Sequence, residues 1–362
     1  MTRTEDRRWL RKAIRCALNY TGQTAPNPIV GCAVVKQDKL LGLGAHQGAG
    51  TPHAEVHALQ AAGSQTRGAT AYVTLEPCNH YGKTPPCTET LINAGIQRVV
   101  IGTLDPNPQV HGQGVKRLRS AGIQVDVGVL EKACQDLIRD FNVWLTSKRP
   151  FVIYKAATTW DGATASAQMG KEAISGPASQ KRVHKLRTTV DAVLIGANTF
   201  KRDNPDLRPR LVRHKKKMLR RVVVTSELPK ASGNLCSQEP ESVLWLCGKT
   251  SIEHRHSWEQ VGSTVICFEQ LPTPQLVVST LFDLGVYRLL LEGGSTLAKS
   301  FLEARLIDWL ICIHGPKLAG GNPGVPLFSG APQAPLTRAI TYQLSRTYRI
   351  GNDLWAEGLI DY

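Results

Sequence analysis

The chain has 362 residues, of which 42% are hydrophobic and 20% are charged, and its formal net charge is +15. This length predicts two domains that are large enough to bury a core without disulfides. No apolar stretch approaches the roughly 18 residues that a membrane helix needs. The N-terminal segment is charged and has no apolar signal core. We therefore expect a cytoplasmic protein without a membrane partner.

The nine cysteines and the excess of basic residues indicate which kinds of site and partner the protein can have. An odd number of cysteines without an export signal favours metal ligation or simple burial over disulfides. The 44 Lys and Arg against 29 Asp and Glu suit either nucleic acid or small phosphorylated ligands. Charge alone does not separate these two kinds of partner.

Hydrophobic periodicity and turn residues predict alternating helices and strands over residues 1–146. The predicted helices cover 5–20, 51–63, 88–94 and 113–120. The predicted strands cover 29–35, 39–43, 69–75, 98–101 and 123–129. Alternation of this kind indicates an α/β layer domain that ends near Leu145.

A polar linker at 146–150 precedes a second α/β domain over 151–362. Its predicted strands cover 151–157, 192–196, 221–225, 243–246, 288–291 and 307–313. Its predicted helices cover 179–190, 273–284 and 296–304. The basic cluster 213–217, with Arg220 and Arg221, predicts a solvated loop.

Three residues of the first domain have the types and positions of zinc ligands. His53 lies at a helix start, Cys78 follows a strand, and Cys87 begins the next helix. One His and two Cys leave the fourth tetrahedral position open for water, as in catalytic zinc sites. Glu55 can carry protons without binding the metal. This H-x-E and Pro-Cys pattern is typical of zinc deaminases.

The loop between the two cysteines is longer than in nucleic-acid deaminases. Eight residues separate Cys78 from Cys87, whereas the common pattern has two. The loop brings His80, Lys83 and backbone N–H groups beside the metal, and we expect it to hold a phosphate. His57, one turn after His53, is interpreted as a packing residue.

The second domain has one candidate anion site. Residues 292–296 (EGGST) lie between a predicted strand and a predicted helix, where backbone N–H groups point at a bound anion. Short glycine turns of this kind also occur without a ligand, so both readings stay open. Lys155 and Asp161 flank a strand end, where α/β domains often place their sites.

These motifs resemble those of the bifunctional riboflavin-biosynthesis deaminase–reductases, over the whole chain and in the same order. The matching stretches of the deaminase half are 26–31, 44–46, 52–56, 74–87 and 105–108. Those of the reductase half are 155–157, 161–162, 198–200, 203–207, 210 and 291–294. The resemblance implies a cytidine-deaminase-like three-layer α/β/α domain, followed by a dihydrofolate-reductase-like α/β domain that uses NADPH.

The resemblance also implies roles for individual residues. Zinc is bound by His53, Cys78 and Cys87, and Glu55 is the proton carrier. The residues that contact the deaminase substrate are Asn27, His46, His80, Lys83 and Asn107. The residues at NADPH are Thr199, Asp203, Gly294, Ser295, Thr296, Leu297, Ala298, Lys299 and Ser300. The residues at the reductase substrate are Leu207, Arg210 and Glu292.

The implied substrate is 2,5-diamino-6-(5-phosphoribosylamino)pyrimidin-4-one. Zinc-dependent hydrolysis would give 5-amino-6-(5-phosphoribosylamino)uracil, and NADPH would then reduce the ribosyl group to ribityl. The partner is thus a small phosphorylated pyrimidine and not nucleic acid. Whether the chain forms a homo-oligomer is left open.

The sequence departs from the family pattern in the reductase half. Thr159-Trp160 replaces Ser-Leu before Asp-Gly, while Lys171, Ala173 and Gln180 stand where the family has Ser, Trp and Arg. An alternative is therefore an active deaminase with a weak, altered or non-catalytic reductase domain. A third reading, a tRNA-editing deaminase, would explain the positive charge, but the chain lacks the short cysteine spacing and spaced aromatic residues.

Overall fold

A computed structural model describes residues 3–81, 85–108, 110–165, 173–212, 218–320, 324–330 and 335–362. The chain separates into two compact units, Met1–Lys148 and Arg149–Tyr362. Each unit has its own sheet and its own buried core. Across these described ranges, no helix has both the length and the apolar character that crossing a bilayer requires.

The first unit is a sheet between two layers of helices. Its helices are α1 (Arg3–Leu18), α2 (Ala54–Ala62), α3 (Cys87–Asn93), α4 (Gln113–Ser120), α5 (Glu131–Leu137) and α6 (Arg139–Ser147), with a 3₁₀ turn at Gly63–Thr66. Its strands are β1 (Gly31–Lys36), β2 (Lys39–Ala45), β3 (Thr70–Leu75), β4 (Arg98–Thr103) and β5 (Gln124–Val127). The strand order is β2-β1-β3-β4-β5. Strand β1 is antiparallel to both neighbours, whereas β3, β4 and β5 are parallel.

Alternating side chains of this sheet fill two separate cores. On one face Val34 and Val73 pack with Ala58 of α2, and on the other face Tyr72 packs with Trp9 of α1. Strand residues i and i+1 point to opposite faces, so both faces of an apolar strand must be covered. The result is the three-layer α/β/α domain that the resemblance implied.

The contact between α2 and β2 is unusually close. A Cβ on Gly44 would collide with the backbone of Ala58, so only glycine allows the helix to lie directly on the strand. This contact fixes the start of α2, and with it the position of His53.

The second unit is built on a larger, mostly parallel sheet. Its helices are α7 (Pro177–Arg187), α8 (Ala197–Asp203), α9 (Gly233–Ser237), α10 (Ile252–Gln260), α11 (Pro274–Asp283) and α12 (Ser295–Glu303), with 3₁₀ turns at Pro240–Ser242 and Leu336–Arg338. Its strands are β6 (Phe151–Thr158), β7 (Ala163–Ala165), β8 (Ala192–Gly196), β9 (Arg220–Glu227), β10 (Val243–Lys249), β11 (Thr264–Cys267), β12 (Arg288–Glu292), β13 (Trp309–His314), β14 (Val325–Pro326), β15 (Thr341–Ile350) and β16 (Asp353–Asp361).

The order of the main sheet is β11-β10-β9-β8-β12-β6-β13-β16-β15. All its neighbouring strands are parallel except β16, which is antiparallel to both β13 and β15. The carboxyl ends of β8, β12, β6 and β13 therefore meet at one edge. In open α/β sheets this edge carries the ligand sites.

The structure corrects several details of the predicted elements. Helix α2 begins at Ala54 with His53 as its N-cap, so Thr51 and Pro52 lie outside the helix. Arg221 belongs to β9 and is fully buried, because its guanidinium donates to the carbonyl groups of Asp206 and Glu239 and to Ser242. Arg220, also predicted in the loop, begins β9, and residues 213–217 lie outside the described residues.

The sequence did not predict α5, α6 and α8–α10, nor the hairpin of β15 and β16. Strand β15 lies at the sheet edge and is exposed along most of its length. The sequence of this strand does alternate, with Tyr342, Leu344, Tyr348 and Ile350 at every second position except 346, so a period-2 signal was present and was not recognised.

Candidate functional site

The predicted zinc ligands meet at one end of the first sheet. His53 caps α2, Cys78 lies in the loop after β3, and Cys87 opens α3. Their ligand atoms all lie within 4.8 Å of one another. The strand end and the two helix starts thus bring together residues that are up to 34 positions apart.

The three ligand atoms lie close enough together to bind one tetrahedral zinc ion. His53 Nδ1 lies 3.1 Å from Cys87 Sγ and 3.6 Å from Cys78 Sγ. In a tetrahedron, Zn–S and Zn–N bonds of roughly 2.3 Å and 2.1 Å place a nitrogen about 3.6 Å from a sulfur. The distance to Cys78 matches this value, and the distance to Cys87 is shorter by about 0.5 Å. A soft thiolate pair with one imidazole is also the donor set that zinc prefers.

The thiols of Cys78 and Cys87 differ in their pKa values. The hydrogen bond from the Cys87 thiol lowers the pKa of Cys78 to about 4, helped by His53, while the same contact raises the pKa of Cys87. The backbone N–H of Cys87 also donates to Cys78 Sγ at 3.4 Å. A thiolate is therefore already favoured where the metal would bind.

Glu55 is buried beside these ligands on the first turn of α2. Burial, together with the negative charge of Cys78, raises the pKa of Glu55 to about 7. The carboxyl group lines the same cavity as His53 and Cys78. It is thus placed to exchange protons with a ligand in that cavity.

The cavity measures about 280 Å³ and brings together most of the predicted substrate contacts. Its lining includes Asn27, His46, His80 and Asn107. Lys83, the remaining predicted contact, lies outside the described residues.

His46 has a defined orientation in this cavity. Its Nδ1 lies 3.2 Å from the Pro52 carbonyl oxygen, and Asn27 Nδ2 lies 3.1 Å from its Nε2. Nδ1 therefore donates to Pro52, and Nε2 accepts from Asn27. Burial lowers the pKa of His46, which favours this neutral form.

The cavity lining also includes seven residues that the sequence reasoning missed as site residues: Pro28, Val30, Leu75, Glu76, Asp105, Val110 and Phe141. Glu76 is the most constrained of them, because its buried carboxylate accepts from the N–H groups of Gly112, Gly114 and Val115 and, at 3.3 Å, of Asp105. The sequence could have indicated Glu76 as a site residue, because it lies two residues before Cys78.

In the second unit, Glu292 is the centre of a buried ion cluster at the end of β12. Arg187 Nε and Nη2 donate to its two oxygens at 2.7 and 3.0 Å, and Lys155 Nζ lies 3.1 Å away. Burial raises the pKa of Glu292, but the two cations outweigh it and hold that pKa well below its usual range. Arg187 was not predicted, since nothing local distinguishes it from other basic helix residues.

Most of the residues predicted to bind NADPH follow Glu292 directly in the chain. Gly293 and Gly294 both have positive φ, and α12 begins at Ser295, so residues 294–300 form the turn and the first two turns of the helix. A Cβ on Gly293 would lie 3.2 Å from Thr199 Cγ2. Thr199 of α8 therefore packs against the glycine turn, and Asp203 lies one helical turn further along α8.

The predicted contacts of the reductase substrate lie on the segment after α8. Leu207 is buried with a positive φ of 64°, and Arg210 Nε lies 3.3 Å from Asp206. Arg187 links this segment to Glu292, because it also donates to the Arg208 carbonyl group at 3.3 Å.

Of the three positions where the family has Ser, Trp and Arg, two are described. Ala173 accepts a hydrogen bond from Lys317 Nζ on its carbonyl oxygen, and the Gln180 amide lies 3.4 Å from the Ser175 carbonyl oxygen. Lys171 lies outside the described residues. Neither described residue provides the indole or the guanidinium of the family pattern.

Two protein-family models divide the chain in the order of its two units. The cytidine and deoxycytidylate deaminase zinc-binding region matches residues 3–103, and the RibD C-terminal domain matches residues 150–356. The chain thus falls into the class of zinc-binding deaminases joined to a reductase domain.

Full-length relatives agree with this class. The riboflavin biosynthesis protein RibD of Aquifex aeolicus (strain VF5) is 39% identical over 88% of this chain and 89% of its own length. RibD of Escherichia coli (strain K12) is 36% identical over 91% of this chain and 94% of its own length.

Solved structures match the whole chain. The deaminase/reductase of Thermotoga maritima covers 99% of both chains at 32% identity with a TM-score of 0.85, and Acinetobacter baumannii RibD, form 1, covers 100% of both at 33% and 0.83. The chain belongs to the RibD family of bifunctional deaminase–reductases of riboflavin biosynthesis. Its cofactors are zinc in the deaminase domain and NADPH in the reductase domain.

Proposed function

We propose that residues 1–146 deaminate 2,5-diamino-6-(5-phosphoribosylamino)pyrimidin-4-one and that residues 151–362 reduce the ribosyl group of the product to ribityl. The observation that carries the proposal is the shared cavity of the first unit. It joins His53 and Cys78, the buried Glu55 and four polar residues that are predicted to contact the substrate, in about 280 Å³. The same substrate chemistry appears in the name of the Thermotoga maritima relative.

In the deaminase half, His53, Cys78 and Cys87 would hold zinc, which lowers the pKa of a bound water to about 7. Glu55 would take one proton from the attacking water and give it to the ring nitrogen. It would then move the remaining hydroxyl proton to the amine, so that the C–N bond breaks and ammonia and a carbonyl group form. Asn27 and His46 form a fixed hydrogen-bonded pair in the cavity, which can orient the pyrimidine. The loop that carries His80 adjoins the same cavity, which supports a role for it at the phosphoribosyl group.

In the reductase half, NADPH supplies the hydride. The Gly293–Gly294 turn leads directly into the start of α12, where the first N–H groups of a helix have no partner within it, which supports binding of the cofactor phosphates there. Thr199 and Asp203 would adjoin the cofactor. Glu292 is held by Lys155 and Arg187 and can accept from hydroxyl groups of the opened sugar, while Arg210 pairs with the phosphate.

We assign the reaction to the cytoplasm, with a small phosphorylated pyrimidine and not nucleic acid as the partner. All nine cysteines are described and are free thiols, which supports a reducing compartment. We attribute the net charge of +15 to the binding of small anions.

The direct test is incubation of the purified protein with the diaminopyrimidine substrate, with and without NADPH, followed by mass analysis of the products. Without NADPH we expect an amino group to be replaced by oxygen. With NADPH we expect the same product with two further hydrogen atoms. RNA and DNA should bind weakly and dissociate near physiological salt.

The alternative of a weak or non-catalytic reductase domain is favoured by one observation. Ala173 and Gln180 provide neither an aromatic ring nor a positive charge. Deamination without any ribityl product, even at high NADPH concentration, would select this alternative.

A further inference from the structure

The turn between β6 and β7 carries an exposed tryptophan at the ligand edge of the second sheet. Trp160 is 55% exposed, although an indole is the largest apolar side chain. It lies two residues beyond the carboxyl end of β6, a central strand. Single exposed apolar side chains are common on folded proteins, but this one lies at the edge of the sheet where α/β folds bind their ligands.

One face of the indole is already covered by a second ring. The rings of Trp160 and His314 are stacked with centroids 5.4 Å apart and planes 17° apart. His314 ends β13, the neighbour of β6, and its Nδ1 lies 3.0 Å from Thr158 Oγ1. Burial lowers the pKa of His314, so the ring is preferentially neutral.

The turn that presents Trp160 is held by hydrogen bonds on both sides. The backbone N–H of Trp160 donates to the Lys317 carbonyl oxygen at 2.9 Å. The Asp161 carboxylate accepts from Thr159 Oγ1 and from the N–H groups of Ala319 and Gly320. The indole is therefore presented on a preorganised support, and its exposure is not that of a loose loop.

Lys317 connects this turn with the segment of Ala173. Its carbonyl oxygen accepts from Trp160, while its Nζ donates to the Ala173 carbonyl oxygen at 2.7 Å. Trp160 thus lies near Ala173, the position at which the family pattern has a tryptophan. The indole of Trp160, which follows the end of β6, provides an aromatic surface in this region.

The stacked rings of Trp160 and His314 also lie within reach of the Gly293–Gly294 turn, where the cofactor is proposed to bind. Strand β12, which ends in Glu292 and the glycine turn, is separated from β13 only by β6. Two strand spacings amount to roughly 10 Å. A ligand anchored by phosphate at the start of α12 can therefore place a ring near Trp160.

We propose that the stacked pair of Trp160 and His314 is a binding platform for the planar nitrogen heterocycle of a reductase ligand. The free face of the indole would stack on either the nicotinamide of NADPH or the pyrimidine of the substrate. This inference rests on the proposed reductase function. It makes Trp160 a residue that determines ligand affinity in this chain.

The test uses the full chain with Trp160→Ala, Trp160→Phe and the control Ile252→Ala, which removes an exposed apolar side chain from α10. Dissociation constants for NADPH come from quenching of tryptophan fluorescence, and KM for the pyrimidine comes from reductase turnover. We expect Trp160→Ala to weaken one of the two ligands about ten- to a hundredfold. Trp160→Phe should retain most of the affinity, and deamination should be unchanged in all variants.

The affected constant identifies the ring that stacks: a changed NADPH constant assigns nicotinamide, and a changed KM assigns the pyrimidine. Unchanged constants in a folded Trp160→Ala protein would overturn the platform and leave the proposed function intact. If the unsubstituted protein neither binds NADPH nor forms ribityl product, the proposed reductase function fails, and the platform fails with it.

Discussion

At the scale of single residues, Glu55 shows how burial and function coincide. The residue lies on the first turn of α2, is 3% exposed and faces the cavity that also contains His53 and Cys78. A carboxyl group in such a place has little value for stability, because burial disfavours its charged form. The proposed proton transfer to a ligand in the cavity would account for its position.

The first prediction concerns the substitution Glu55→Gln. The amide keeps the size of the side chain but cannot exchange protons, so we expect deamination to fall by about 10²–10⁴-fold. Zinc content, measured by elemental analysis, should stay near one ion per chain. The control is Glu131→Gln, the same change at the exposed first residue of α5. Near-normal deamination by the Glu55 variant would contradict the role.

A second prediction at this scale concerns the ion cluster of the second unit. Glu292→Gln would leave Arg187 and Lys155 buried without their counter-charge, which should cost about 3–5 kcal/mol of unfolding free energy. Chemical denaturation of the second unit measures this loss. The exposed pair of Arg255 and Glu259 provides a control, because Glu259→Gln should change stability little.

The same cluster gives a pH dependence with a defined sign. The pKa of Glu292 is lowered in the folded protein, so its contribution is fully present above its unfolded pKa and is lost as the pH falls. The stability difference between the unsubstituted protein and Glu292→Gln should therefore shrink below the ordinary glutamate pKa of 4.5. A difference that is constant or grows toward acid would contradict this assignment.

At the scale of elements, Glu76 ties the loop after β4 to the start of α4. Its carboxylate accepts four backbone N–H groups from residues 105–115. Asn107, a predicted substrate contact, lies within that loop and lines the cavity. A single buried side chain thus determines where a loop presents its polar group.

The third prediction is that Glu76→Gln displaces this loop without affecting the metal. The amide NH₂ group would face backbone donors, and an unsatisfied buried donor costs about 1–3 kcal/mol. We expect a higher KM for deamination with near-normal zinc content. Steady-state kinetics and elemental analysis check the two parts, and Glu76→Ala shows whether the carboxylate acts only through packing. An unchanged KM in the Gln variant would show that Asn107 does not depend on Glu76.

The same scale shows the limits of sequence patterns. The buried strands and α1, α2, α4 and α11 were predicted because their apolar spacing is regular. The short helix α8 has only seven residues and shows no such pattern, whereas strand β15 has alternating apolar residues that were overlooked. Their structure depends on pairing with β16 and on packing near β8, which are contacts between distant parts of the chain.

At the scale of the whole molecule, each unit has its own sheet and core. The fourth prediction is that residues 1–148 and 149–362, produced separately, each fold. The first fragment should bind zinc and deaminate the substrate, and the second should bind NADPH. Elemental analysis and calorimetry measure these properties, with the full chain as control. A first fragment that is unfolded and free of zinc would show that the two units depend on each other.

The sequence by itself determined the class of the protein and its metal chemistry. His53, Glu55, Cys78 and Cys87 are recognisable because helix starts and strand ends are local features, encoded within a few residues. The tertiary structure alone decided the contacts of Glu292 with Arg187, of Glu76 with α4, and of Trp160 with His314. These partners are 105, 38 and 154 residues apart, and only sheet order and packing bring them into contact.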